Sequence, residues 1–207
     1  MFDSIHEECG VFGIYDKHNT DVATSAYYAL YALQHRGQES CGIAVNDDGV
    51  ITAHRDMGLV PDVFTPRVLE DLGEGNIAVG HVRYSTTGCG NRVNAQPLMV
   101  KHIKGPMVVA HNGNLVNAGE LRDRYQKQGA IFQTTTDSEI LLHQLADPTY
   151  FGQRDRIRAA LAELARRLGR AHLYVFRADG ENEAFYRALG FAACGRWAQA
   201  RRKGETP

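Results

Sequence analysis

The stretch CGIAVNDDGVITAHR, residues 41–55, decides how the chain is read. Two β-rich runs flank the pair Asp48-Gly49. Such a pair between two runs selects a two-residue hairpin turn, because both turn positions need φ > 0. Reading outward, DVATSAYYALYALQHRG (21–37) predicts a helix capped by Asp21 or Thr20 and stopped by Gly37. CGVFGIY (9–15) predicts the first strand. Downstream, PDVFTPRVLEDL (61–72) reads as a short helix broken or restarted at Pro66. NIAVGHVRYST (76–86) reads as a buried strand, followed by a loop to Pro97. LMVKHIKGPMVVAHNGN (98–114) is a second hairpin, and NAGELRDRYQKQG (117–129) a polar helix. TTTDSEILLHQLA (134–146) reads as a helix with a threonine cap and the first-turn acids Asp137 and Glu139. Local hairpins dominate this order, so the expected fold class is α+β with largely antiparallel sheets.

Bulk properties narrow the classes. At 207 residues the chain holds one large domain, or a domain and a fragment. Its apolar and charged fractions, 43% and 23%, are those of a globular protein. A net charge of −1 supplies no field for nucleic acid or an acidic membrane. No apolar run approaches the roughly 18–20 residues that span a bilayer, and the acidic start MFDSIHEE excludes a secretory signal. Cys9, Cys41, Cys89 and Cys194 show no metal-ligand spacing and read as reduced thiols of a cytoplasmic protein. No metal or cofactor is expected.

Polar residues abut buried-looking strand ends in ECGVFGI, LQHRGQES, GHVRYSTTG, AHNGNLVN and FQTTTDSE. Singly, each has an ordinary reading: Arg83 as a snorkelling strand residue, HNGN as a turn, TTTDSE as a helix cap. Together, in this order from Glu8 to about Leu164, they resemble the glutaminase domain of class II glutamine amidotransferases, the N-terminal-nucleophile hydrolases. HVRYSTTG, in place of a His-Thr-Arg-Trp version, resembles the amidophosphoribosyltransferase branch, which serves purine synthesis. The resemblance implies a sandwich of stacked antiparallel sheets with flanking helices, here incomplete at its C-terminal side.

The family chemistry explains the residue types. A thiol titrates near pH 8.5 and an α-amino group near about 7.7–8.0. A cysteine at the chain's amino terminus therefore carries its own base. By resemblance that residue is Cys9, once the leader of residues 1–8 is removed. Asn112 and Gly113 match the oxyanion site, one side-chain amide and one backbone N–H. Arg83 matches the partner of the glutamine α-carboxylate, where a guanidinium fork meets two oxygens. Asp137 matches the partner of the α-ammonium, Thr86 lies in the substrate loop, and Arg36 matches the arginine that orders the nucleophile. The implied ligand is L-glutamine, with no nucleic acid or membrane as partner.

The segment ENEAFYRALGFAACGRW (181–197) resembles something else, the C-terminal end of GNAT-type N-acetyltransferases. That resemblance covers about residues 165–197 and predicts a strand–helix–strand tail, with Tyr186 at the position of an acid in the intact family. No Gly-rich pyrophosphate loop precedes it; QRDRIRAAL stands there, with Asp155 where backbone N–H groups should meet phosphate. Nothing resembles a phosphoribosyltransferase domain. The organisation expected is a leader (1–8), an incomplete glutaminase-type domain (9–164) and an acetyltransferase-like tail (165–207). Self-association through a poorly covered apolar face is expected. The alternatives are an inactive composite chain that keeps the site residues, and an acetyltransferase.

Overall fold

The computed structural model describes residues 9–146, apart from 17, 19, 85–90, 104, 114 and 116, and the strands at 173–175, 191–194 and 198–202. Thr86, Cys89, Asp155, Tyr186, the expected leader and the expected helix at 181–189 lie outside the described residues. The chain divides into two compact units between Leu142 and His143.

The first unit is α+β with antiparallel sheets. Strands β1 (Gly10–Tyr15), β2 (Ser40–Asp47), β3 (Val50–Met57) and β4 (Ile77–Arg83) form one sheet in the order β1-β4-β2-β3. The β2–β3 hairpin forms as its sequence dictates: Asp48 and Gly49 take φ of 43° and 91°, the pair of positive values a tight hairpin turn demands. The centre of the sheet is not a hairpin. β4 inserts between β1 and β2, pairing Gly80 with both Phe12 and Ile43. Strands β5 (Leu98–His102) and β6 (Gly105–Val109) make a separate two-stranded sheet.

Helix α1 (Val22–Ala32) covers one face of the large sheet. Asp21 is its cap, accepting from the Thr24 N–H at 3.1 Å. Val22, Ala23, Ala26 and Leu30 pack on Cys41, Ile43, Val45, Ala78 and Val82, all essentially inaccessible to solvent. Each large aliphatic side chain buried this way contributes about 1.5–3 kcal/mol. Helices α2 (Val60–Val63) and α3 (Pro66–Leu72) close the end of this core through Val60, Val63, Phe64 and Leu72. Pro66 thus restarts a helix, with Thr65 as its cap.

Two expectations are corrected. Gly37 does not stop α1, which ends at Leu33 before a short 3₁₀ turn, Gln34–Arg36. Gly37 is extended, and a β-carbon there would lie 2.7 Å from the Arg83 and Val82 backbone. It closes the 3₁₀ turn, its N–H donating to the Gln34 carbonyl at 3.1 Å, and it permits this close approach. The threonines at 134–136 do not cap a helix either. Helix α5 (Glu139–Ala146) begins later, and the Glu139 carboxylate reaches back to accept from the Gln133 and Thr134 N–H groups and the Thr134 hydroxyl at 2.7–2.8 Å. Asp137 is thereby left outside the helix. Helix α4 (Ala118–Lys127) forms where its polar sequence places it, burying only Leu121 and Tyr125.

The other face of the large sheet mixes apolar residues such as Val79 and Ala44 with polar ones. His81 is completely buried there, opposite Gly42, and neither ring nitrogen makes a hydrogen bond among the described residues. Burial lowers its pKa to about 4, against a weaker opposing pull from the His111 backbone. The unfolded chain takes up this proton near pH 6.5 while the folded chain refuses it. The resulting penalty is absent above pH 6.5, grows as pH falls, and is complete below about 4. It amounts to on the order of 3 kcal/mol. We expect the unfolding free energy to fall by about that much more in the parent than in a His81→Gln variant between pH 7 and pH 4. Parallel pH dependences would refute this account of His81.

In the second unit, β7 (Leu173–Val175), β8 (Phe191–Cys194) and β9 (Ala198–Arg202) form an antiparallel sheet in the order β7-β9-β8. The outer two strands fall where the sequence predicts strands. The central one, β9, was not anticipated from its AQARR sequence, which lacks β-branched residues. No helix among the described residues is long and apolar enough to cross a membrane.

Candidate active site

Cys9 stands one residue before β1, held by the turn that follows α1. Its N–H donates to the Arg36 carbonyl at 2.9 Å, and Arg36 Nε returns a bond to the Cys9 carbonyl at 2.9 Å. Arg36 thus fixes the backbone of the cysteine at two points. The sulfur receives the Tyr84 N–H at 3.4 Å. Cys9 also has φ of +61°, a left-handed conformation that costs a non-glycine residue about 1–2 kcal/mol. Cys41 is different in kind: it is buried under α1, and burial followed by Asp56 and Asp62 pushes its thiol up to about 12. That sulfur is packing, inert at neutral pH.

A cavity of about 390 Å³ opens beside Cys9, within the range of small-ligand pockets. Arg83, Asn112, Gly113 and Asp137 line it together with Cys9. Of the residues singled out in the sequence, Arg36 touches the Cys9 backbone without lining the cavity. Arg83 is the last residue of β4, and its Nη1 pairs with Glu39 at 3.5 Å, both side chains mostly buried. Asn112 follows β6 and reaches the Cys9 carbonyl with Nδ2 at 3.3 Å. Asp137 accepts the Leu115 N–H on one oxygen and the Thr136 and Ser138 hydroxyls, at 3.3 and 3.4 Å, on the other. One cavity therefore offers a thiol, a cation, an anion and an amide donor.

The floor of the cavity was not legible in the sequence. Gln96, His111 and Ser138 form a buried polar cluster beneath Asn112 and Asp137, and Asn94 bonds Thr135 beside them. His111 stood inside a quoted motif but drew no role. Gln96 lay in a segment read only as loop. Burial lowers the pKa of His111, opposed by Asp137, so the ring is neutral at pH 7.

A family model described as glutamine amidotransferase domain matches residues 69–150, a span containing Arg83, Asn112, Gly113 and Asp137. The chain carries a glutamine amidotransferase domain.

This domain is similar to the amidophosphoribosyltransferase of Methanothermobacter thermautotrophicus, at 49% identity over 143 residues, covering 69% of this chain and 30% of that one. It is 44% identical to the Bacillus subtilis amidophosphoribosyltransferase over 161 residues, covering 77% and 33%. Among solved structures, the B. subtilis glutamine phosphoribosylpyrophosphate amidotransferase complexed with ADP and GMP superimposes with a TM-score of 0.68 at 40% identity. That match covers 74% of this chain and 32% of the other. A structure described as the allosteric regulatory enzyme of purine biosynthesis gives a TM-score of 0.69 at 42% identity, with the same coverage. The α+β arrangement of the glutamine amidotransferase domain is thus that of N-terminal-nucleophile hydrolases of this type. The chain spans about a third of the length of these relatives.

Proposed function

We propose that the chain is a glutaminase that releases ammonia from L-glutamine through a thioester on Cys9, the step that feeds ammonia to a partner domain in amidophosphoribosyl transfer. The observation carrying this is the shared cavity: Cys9, Arg83, Asn112, Gly113 and Asp137 all line it. Glutamine is a zwitterion with a neutral carboxamide at its far end. A cation and an anion in one pocket bind its two charged groups, and an amide donor beside a thiol suits its carboxamide. Arg83 holds the α-carboxylate and Asp137 the α-ammonium; Thr86, outside the described residues, has a substrate role by resemblance alone.

The thiol of Cys9 adds to the carboxamide carbon while its proton passes to the α-amine of the same residue. The tetrahedral oxygen takes hydrogen bonds from Asn112 Nδ2 and the Gly113 N–H. The C–N bond then breaks, the α-ammonium returns the proton, and ammonia leaves. Water, deprotonated by the same amine, hydrolyses the thioester to glutamate. This cycle needs the Glu8–Cys9 peptide bond cleaved. The Arg36 carbonyl, which now accepts the Cys9 N–H, is placed to hold the resulting amine. Cleavage also removes the torsion that holds Cys9 at positive φ.

Arg83→Ala and Asp137→Ala each leave one end of the zwitterion unpaired. Loss of one charge-assisted contact is worth about 1.5–3 kcal/mol, so KM for glutamine rises about 10- to 150-fold in each variant. Steady-state kinetics with purified chains beginning at Cys9 tests this reading. An unchanged KM in both variants would reject the clamp, and no ammonia release by the parent would reject the function. The acetyltransferase-like features of residues 165–197 bring no coenzyme site in our reading, since Asp155 would repel a pyrophosphate.

A further inference from the structure

We propose that Gln96 is a positioning residue that sets the oxyanion donor Asn112 from the rigid sheet beneath it. The inference rests on the glutaminase reading above. Gln96 follows β4 in a loop that is pinned to the sheet. Arg55 of β3 donates through Nη1 to the carbonyls on either side of Gln96, to Ala95 at 2.7 Å and to Pro97 at 3.2 Å. The Gln96 carbonyl also presses on Gly42 of β2, where a β-carbon would meet it at 2.3 Å. Only glycine at 42 allows the loop to sit so close. Gln96 itself is 4% exposed.

From this base the side chain grips a single residue. Its Oε1 accepts the His111 N–H at 2.8 Å, and its Nε2 donates to the His111 carbonyl at 3.2 Å. The primary amide thus does what a neighbouring strand would do: it holds both backbone groups of one residue. Asn112 comes next in the chain. With the N–H and C=O of His111 both held, the peptide leading into Asn112 has a defined plane, and that aims Nδ2. The second Nε2 hydrogen reaches Ser138 Oγ at 3.4 Å, and the His111 ring meets the same oxygen through Nδ1 at 3.1 Å. With the Ser138 hydroxyl donating to Asp137, every member of the cluster has a consistent role. In that arrangement Nδ1 of His111 carries the ring proton, Ser138 Oγ accepts from it and from Gln96, the Thr136 hydroxyl at 3.3 Å from that oxygen turns its proton to Asp137, and the chain of donors ends on this carboxylate.

Two consequences separate. Asp137 acts on bound glutamine in the ground state, so disturbing it moves KM. Asn112 acts on charge that develops only in the transition state, so misaiming it moves the rate at saturation. Gln96 holds the backbone before Asn112 directly and reaches the Asp137 carboxylate only through the Ser138 hydroxyl, while Asp137 keeps its own bonds to the Leu115 N–H and the Thr136 hydroxyl. Its removal therefore lowers the maximal rate and leaves affinity nearly unchanged.

The test uses the full chain beginning at Cys9 and 6-diazo-5-oxo-L-norleucine, a diazoketone analogue of glutamine. Its diazo carbon takes a proton, the Cys9 thiolate attacks that carbon, and dinitrogen leaves, so intact mass counts modified Cys9. The analogue's ketone lies where the glutamine carboxamide oxygen would. In Gln96→Met we expect complete labelling of Cys9, which counts the intact sites, with the saturating rate of glutamine hydrolysis per labelled site about 10- to 100-fold lower and KM for glutamine within about threefold of the parent. Should that variant not fold, Gln96→Glu carries the same test. It keeps the acceptor for the His111 N–H and loses both donors. A reduced labelled fraction at an unchanged saturating rate is the mark of a merely structural residue and overturns the proposal, as does an unchanged rate with full labelling. No labelling of Cys9 in the parent overturns the glutaminase reading and this proposal with it. Complete labelling of parent and variants with the same saturating rate of glutamine hydrolysis per labelled site overturns this proposal alone.

Discussion

Under the proposed mechanism we expect Cys9→Ala to abolish glutamine hydrolysis, with turnover falling by at least about 10⁴-fold to the background of the assay. A nucleophile that forms the covalent intermediate has no substitute, and residues acting as a unit lose most of their rate enhancement when one is removed. The chain that retains residues 1–8 is equally inactive, because Cys9 then carries a peptide nitrogen in place of the basic amine. Cys41→Ala provides the contrast. Its thiol is sealed under α1 and held protonated, so its loss costs core packing and leaves glutamine turnover per folded molecule unchanged. Ammonia release measured alongside intact mass checks all three. Normal turnover by a preparation whose mass shows residues 1–8 retained would defeat the mechanism.

Asn112→Ala lowers kcat by about 10²–10³-fold and leaves KM for glutamine within a few fold. The amide that now reaches the Cys9 carbonyl at 3.3 Å sits on the wall of the cavity next to the sulfur. In the proposed mechanism it is the side-chain donor to the tetrahedral oxygen. Removing it costs stabilisation made only in the transition state, which separates this variant from Arg83→Ala and Asp137→Ala, whose effects fall on KM. A single-turnover measurement of thioester formation on Cys9 resolves the two classes. Equal losses in kcat and affinity would reassign Asn112 to ground-state binding.

The clamp on Cys9 shows why local motifs were informative. Arg36 lies in LQHRGQES, and its carbonyl and guanidinium both reach the cysteine backbone because the 3₁₀ turn after α1 brings the chain back beside the start of β1. A cysteine, an arginine and an asparagine-glycine pair are conspicuous at strand ends, where apolar residues would be expected, and Arg36 and Asp137 stand in turns beside helices. Their chemistry is a property of the residue types. The supporting residues have no such signature. Gln96 reads as any polar loop residue, and Ser138 as part of a helix start, until the fold stacks them under Asn112 and Asp137.

The sequence by itself determined the local pieces: the Asp48-Gly49 hairpin, a helix start at Thr20 or Asp21, a break or restart at Pro66, and an antiparallel α+β class. Each depends on interactions within a few residues, which composition and spacing record. Only the tertiary structure decided that β4 lies at the centre of its sheet, that Gly37 and Gly42 serve close backbone approach, and that Glu139 satisfies the Gln133 and Thr134 N–H groups ahead of α5. These depend on partners up to dozens of residues away in the chain. A strand's place in a sheet, or the group that comes within reach of a glutamine amide, is set by how whole elements pack to bury their apolar faces, and no short window of sequence contains that information.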